Sequence, residues 1–280
     1  KAQVGRTRAC LVTCFVAGLL LGCGRGPMLP YSLETPPLVL VPAQMANVDD
    51  GRARFREIFC SVQKDHGSLL PNNRPCGDAL QRLADEESPG GKPVWLGMTR
   101  VPMKVVVVPG LFNECFSNIT WPFAGGLRHI ERFGFSTAII PVSGRSSSEV
   151  NARQIRDALL DFGPESKERI VLVGYSKGTA DILEAVTAYP EVTGMVSAVV
   201  SITGVVGGSP IADHLSWPMV ELVRHLPFSA CPTGDGGAIE SIKRSTRQLW
   251  LARNRLPTSI LYFSLGAFDE RKGISFLLRR

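Results

Sequence analysis

Histidine is scarce in this sequence: only four occur in 280 residues, and none lies at a ligand spacing from a cysteine. None of the seven cysteines forms a CxxC pair, so no zinc site is legible in the pattern. A GxxxxGK[ST] loop is also missing, which excludes a P-loop phosphate site. Charge is modest, at 20% Asp, Glu, Lys and Arg, with no long charge run, heptad or internal repeat. The formal charge of +6, from 31 basic against 25 acidic residues, is scattered rather than gathered on one stripe. Nucleic acid is therefore not an expected partner, and no metal or cofactor is expected.

What is present is a globular composition, 44% hydrophobic with 28 Gly and 20 Pro, long enough to bury one sizeable core. The first residues have a different character. Lys1, Arg6 and Arg8 precede an apolar run of 13 residues, Ala9 to Leu21. That run is too short to span a bilayer as a helix and suits the core of a signal peptide. It ends in Leu20-Leu21-Gly22-Cys23, which resembles the bacterial lipobox, where the cysteine is lipidated and becomes the mature N-terminus. The alternative is an ordinary signal peptide or anchor with an incidental cysteine. The lipobox reading makes residues 1–22 a signal peptide and 23–37 a Pro-rich tether. It places the protein in the cell envelope, lipid-anchored to a bacterial membrane, and leaves a charge of +3, from 28 basic against 25 acidic residues.

Export would put the remaining Cys60, Cys76, Cys115 and Cys231 in an oxidising compartment. Cys60 and Cys76, 16 apart in a short polar segment, are the favoured pair among three connectivities. Leu38–Val41 reads as a first strand, and residues 50–90 as a helix followed by a loop. From there strands and helices alternate. Val105–Val108, Phe135–Pro141, Arg169–Gly174, Met195–Val205 and Thr258–Leu265 are apolar strand-like runs. Helical patterns fill about 120–133, Val150–Phe162, the stretch after Ser176, and two stretches within 211–254. Ser146 and Glu149 form a capping-box pattern before the second of these helices. The alternation predicts a doubly wound, mostly parallel sheet in a domain covering 38–280.

Gly174-Tyr175-Ser176-Lys177-Gly178 matches G-x-S-x-G between an apolar strand and a helix, the context that motif requires. A serine on so tight a turn is strained, and the flanking glycines let strand and helix approach. The alternative is a serine in an ordinary strand-to-helix turn.

On these residues the chain resembles the α/β-hydrolase superfamily, in its lipase and esterase branch, over roughly residues 100–270. The resemblance implies Ser176 as nucleophile and an oxyanion hole built from backbone amides. One amide is that of Lys177; the other is that of Leu111 or Phe112 in Val107-Val108-Pro109-Gly110-Leu111, where many relatives have His-Gly. A simple turn at Pro109-Gly110 is the other reading of that stretch. Ser201 to Asp213 resembles the loop before a lipase lid, with Val205-Val206 where the family has Pro-His. Trp217, Pro218, Leu222 and Phe228, within the 211–254 region, would form a lid or an amphipathic helix.

The family order places the acid after the strand ending near Leu265, which points to Asp269, or else leaves that residue a solvated loop acid. His66, His129, His214 and His225 all lie outside the family position of the base. A recruited imidazole, an inactive protein, or a chain lacking the last strand and helix of the fold would each account for this. The last is expected, and with it that none of the four is the general base. The leading function is hydrolysis of carboxylic esters, lipid-like or polymeric, through an acyl-enzyme. The alternative is an exported lipoprotein whose inactive hydrolase fold serves as a binding module.

Overall fold

The computed structural model describes residues 48–70, 73–80, 82, 86–95, 97–113, 123–162, 168–215 and 234–267. In chain order these form α1 (Arg52–His66), α2 (Cys76–Ala79), β1 (Met103–Val108), α3 (Ala124–Glu131), β2 (Ser136–Ile139), α4 (Ser148–Asp161) and β3 (Arg169–Tyr175). There follow α5 (Lys177–Ala188), α6 (Pro190–Met195), β4 (Val196–Ile202), α7 (Pro210–Asp213), α8 (Ala238–Ser241), α9 (Arg244–Arg253) and β5 (Leu261–Leu265).

The five strands make one parallel sheet in the order β2-β1-β3-β4-β5. The direction of winding reverses between β1 and β3, so their carboxyl ends border the crevice where ligands bind in doubly wound sheets. Register brings those ends level: Val107 pairs with Ile139, Val108 with Gly174, and Tyr175 with Ile202.

The central strands β1 and β3 are apolar runs, as strands covered on both faces of a parallel sheet are. On one face Val106 and Val108 of β1 and Leu172 of β3 are fully buried, and on the other Val107 is buried as well. One face packs on Ala152, Ile155 and Leu159 of α4 and on Ile182, Ala185 and Val186 of α5. Residues 152, 155 and 159 recur at helical spacing and give α4 one apolar stripe. Burial of each such Ile or Leu contributes about 1.5–3 kcal/mol.

Two differences from the sequence expectations have local causes. The cap of α4 is Ser147, whose Oγ accepts from Val150 N, rather than Ser146. Ser146 Oγ instead donates to Ser143 Oγ and accepts from Asp235 N, so it is already committed. The strand expected from Met195 begins at Val196, because Pro190 starts a further short helix, α6, for which its fixed φ is suited. The strand expected at Leu38–Val41 lies outside the described residues. Cys60 and Cys76 form a disulfide, with Cα atoms 5.3 Å apart.

Candidate active site

Ser176 stands between the last residue of β3 and the first of α5, at φ 53° and ψ −121°. An L-residue held there costs on the order of 1–3 kcal/mol and persists only where surrounding contacts over-determine it. Here they do. Ser176 N–H donates to Ile202 O at 3.1 Å, and Ser176 O accepts from Val205 N at 3.3 Å and Thr179 N at 3.2 Å. The side chain makes no capping bond to the helix.

The motif glycines are sterically required. A Cβ on Gly174 would lie 2.6 Å from Thr179 Cα, and one on Gly178 would lie 2.2 Å from Val108 O. The second contact shows that α5 begins directly against the end of β1. A Cβ on Gly110 would fall 2.9 Å from Ser176 Cβ and 3.4 Å from Ser176 Oγ. The Pro109-Gly110-Leu111 loop thus runs beside the hydroxyl. Phe112, two residues on, has φ 58°. Phe112, Phe123, Ser176 and Thr203 are the non-glycine residues with positive φ among those described. Phe112, Ser176 and Thr203 follow the carboxyl ends of β1, β3 and β4, and Phe123 lies against Tyr175. Strain collects at this edge of the sheet.

The surroundings are apolar. Leu111, Val205 and Leu215 pack on buried Ala212, Ile239 and Ile242. Tyr175 and Phe123 meet edge to face at 5.4 Å, and both rings are partly exposed. These apolar side chains flank the carboxyl ends of β1, β3 and β4.

Beside it a polar clamp joins two loops. Asp235 Oδ1 accepts from Ser147 N at 2.7 Å and Gly237 N at 3.0 Å, and Oδ2 accepts from Ser147 Oγ at 2.6 Å. Burial pushes the Asp235 carboxyl up. The bonds from Ser147 and Gly237, with the Lys177 charge nearby, outweigh that and leave it below its ordinary value.

The structure places Gly110, which precedes Leu111 and Phe112 in the loop after β1, against Ser176, with Lys177 next in the chain. Asp269, Cys23 and His225 lie outside the described residues, as do Trp217, Pro218, Leu222 and Phe228. His66 and His129 meet each other and Phe133 edge to face at 5.3 Å, tying α1 to α3. Burial and then the His66 and Arg132 charges hold His129 below the usual imidazole range. His214 is an exposed residue at the end of α7. Its neighbour Asp213 is committed to Arg244, accepting from its backbone N–H at 3.0 Å and from its guanidinium. Among the described residues no cluster of His, Cys, Asp and Glu could hold a metal. Sequence reasoning missed the clamp at Asp235 and the carboxylate of Asp181. The only signal for Asp181 was its position four residues after Lys177.

A strand, a strained serine, a helix packed on the neighbouring strand and a glycine loop beside the hydroxyl define an α/β-hydrolase. The crystal structure of a metagenomic carboxyl esterase, MGS0156, is 41% identical over 87% of this chain and 74% of that one, with a TM-score of 0.82. This chain belongs to the α/β-hydrolase superfamily. The mature form of Bacillus licheniformis lipase BlEst2 is 19% identical, over 62% of this chain and 69% of that one, at a TM-score of 0.46. Phospholipase PlaB from Legionella pneumophila is 13% identical, over 64% and 42%, also at 0.46. No protein-family model and no curated protein matches the chain.

Proposed function

We propose that this protein hydrolyses carboxylic esters through a covalent acyl-enzyme on Ser176. The observation that carries the reading is the strained Ser176 turn with Gly110 lying 3.4 Å, by its would-be Cβ, from the serine Oγ. Ser176 Oγ attacks the ester carbonyl carbon while a general base takes its proton. The carbonyl oxygen becomes an oxyanion, held by the backbone N–H of Lys177 and that of Leu111 or Phe112. Each such donor is commonly worth about 3 kcal/mol of transition-state stabilisation. The tetrahedral species collapses, the C–O bond to the alcohol breaks, and the proton passes to the departing alkoxide. Water then attacks the acyl-enzyme by the same path in reverse and releases the acid.

Asp269 is the acid that orients the base, and none of His66, His129, His214 and His225 is that base. Cys23 carries the lipid that fastens the protein to a bacterial envelope membrane, and the apolar lining suits lipid-like esters. Labelling with a fluorophosphonate, and release of p-nitrophenol from its esters, test the central claim. Both should occur in the natural protein and vanish in Ser176→Ala with an unchanged far-UV circular dichroism spectrum. Labelling that survives the substitution would refute the nucleophile. A folded protein that neither labels nor turns over would leave the binding-module reading. Incorporation of labelled palmitate, lost in Cys23→Ala, tests the anchor.

A further inference from the structure

Lys177 stands at the variable position of the serine motif, in the first turn of α5. A cation there faces the positive end of the helix dipole. It is also buried, with 1% of its side chain exposed. Both conditions are costly, since a buried ion pair rarely repays its desolvation. The cost is met by one partner: Lys177 Nζ donates to Asp181 Oδ1 at 2.6 Å, and Asp181 is itself wholly buried.

Asp181 reaches well beyond its own helix. Its Oδ1 also accepts from Ser148 Oγ at 2.7 Å, and its Oδ2 from Asn151 Nδ2 at 2.7 Å. Asn151 Nδ2 also donates to Ser143 O at 2.9 Å, in the loop after β2. Ser148 N–H donates to Ser241 Oγ at 2.9 Å, and Ser241 Oγ donates to Gly237 O at 2.9 Å. The Lys177 side chain is thereby lashed to α4, α8 and two loops.

We propose that the buried Lys177–Asp181 pair, with Ser148 and Asn151, is a positioning device for the oxyanion-binding amide of Lys177. The inference rests on the ester-hydrolase reading above and assigns a role to side chains that reading leaves unused. The Lys177 N–H belongs to the peptide that follows the strained Ser176 torsions. Strain at Ser176 favours any rotation of that peptide which relaxes it. Gly110 packs against the serine, and the Lys177 ammonium pins the residue that follows it. The carbonyl of the same peptide accepts from Thr179 N and Val205 N at 3.2 and 3.3 Å, at the long end of the range, so removing the pin lets the N–H tilt from the position where negative charge develops. The ground-state carbonyl bears little charge, so substrate binding barely changes while the transition state loses a donor.

The test is the paired variant Lys177→Met/Asp181→Asn, which removes both charges together. The asparagine amide at 181 can still accept from Asn151 Nδ2 and donate to Ser148 Oγ. Expected is a kcat lowered about 10- to 100-fold, the scale of a displaced catalytic group, with KM within about twofold. Affinity for phenylboronic acid, which mimics the tetrahedral species on serine, should fall by the same factor as kcat, and the melting temperature should stay near that of the parent. Ser148→Ala removes only one bond of the network and should show the same kcat-only loss, at about 2- to 10-fold. It serves as the deciding variant if the paired one does not fold. A kcat equal to the parent's in whichever variant decides would overturn the proposal, as would a loss that tracks melting temperature alone. An inactive parent would overturn both this inference and the hydrolase reading; an active parent with an equally active variant would overturn only this one.

Discussion

From Met103 to Leu265 the described structure is built on apolar burial, whereas from Arg52 to Trp95 it is built on polar clips. The sheet shares one continuous core with α4 and α5. Helix α1 contributes no buried residue at all. It is held by Arg56 Nε to Glu86 Oε1 at 2.6 Å, by Arg54 to Lys92 O and Pro93 O at 2.7 and 2.9 Å, by the Cys60–Cys76 disulfide, and by His66 against His129 and Phe133. Apolar burial is cooperative and involves no titrating group, while the ion pairs and hydrogen bonds among the clips are local, directional and individually weak. The strained serine sits in the first region because only a rigid, over-determined surround can hold it. The second region is the one expected to open first.

The largest expected effect comes from Gly178→Ala. Its Cβ would meet Val108 O at 2.2 Å, a backbone atom that cannot move without breaking β1. The variant should fail to yield folded protein, and a soluble, active Gly178→Ala would show that α5 need not abut β1 at the Ser176 turn.

Next is Leu172→Ala, a wholly buried site in β3. It should cost about 2–5 kcal/mol in chemical denaturation, by lost burial plus a cavity. A cost below about 1 kcal/mol would show that burial in the sheet core does not dominate the stability of this region.

Cys60→Ser should show the contrast between the two regions most directly. Closing a loop of about 15 residues is worth about 3 kcal/mol in the chain-entropy account. The loss should appear as faster amide exchange in α1, with the protection of β1, β3 and β4 retained. Equal loosening of the sheet would make the two regions one cooperative unit.

The smallest effect is acid sensitivity. The Arg52 side chain and its backbone N–H hold the Asp50 carboxyl at about 2, below its ordinary 3.8. The Arg54 guanidinium likewise holds Glu57 below its ordinary 4.5. Folded values below unfolded ones mean that this support is complete above the ordinary values and is lost as pH falls through the folded ones. Amide exchange in α1, corrected for its intrinsic pH dependence, should therefore rise between about pH 4.5 and pH 2 while the sheet stays protected. A sheet that opens in the same window would break the distinction.

Much of the first region was legible in advance because its signals are local and repeated. Val105–Val108 and Arg169–Gly174 read as buried strands from their apolar runs, and the G-x-S-x-G spacing carried its own steric reason. The capping pattern at Ser146 and Glu149 misled by one residue. A capping box depends on which hydroxyl is free, and Ser146 was taken by Ser143 and Asp235, the latter nearly ninety residues away in the chain.

By itself the sequence determined the parallel alternating fold, the place of Ser176 on a strand-to-helix turn, and the preference for Cys60 with Cys76. Each follows from spacing within a few turns or strands, where propensity and sterics act along the chain. Only the tertiary structure decided that Gly110 lies against the serine hydroxyl and that Asp213 is spent on Arg244. It alone decided that Lys177 is buried on an aspartate shared with Ser148 and Asn151. Those facts depend on which distant groups desolvate one another. The i,i+4 spacing allows Lys177 to reach Asp181, but burial of the pair and its bonds to Ser148 and Asn151 come from three-dimensional proximity, for which a linear pattern holds no signal.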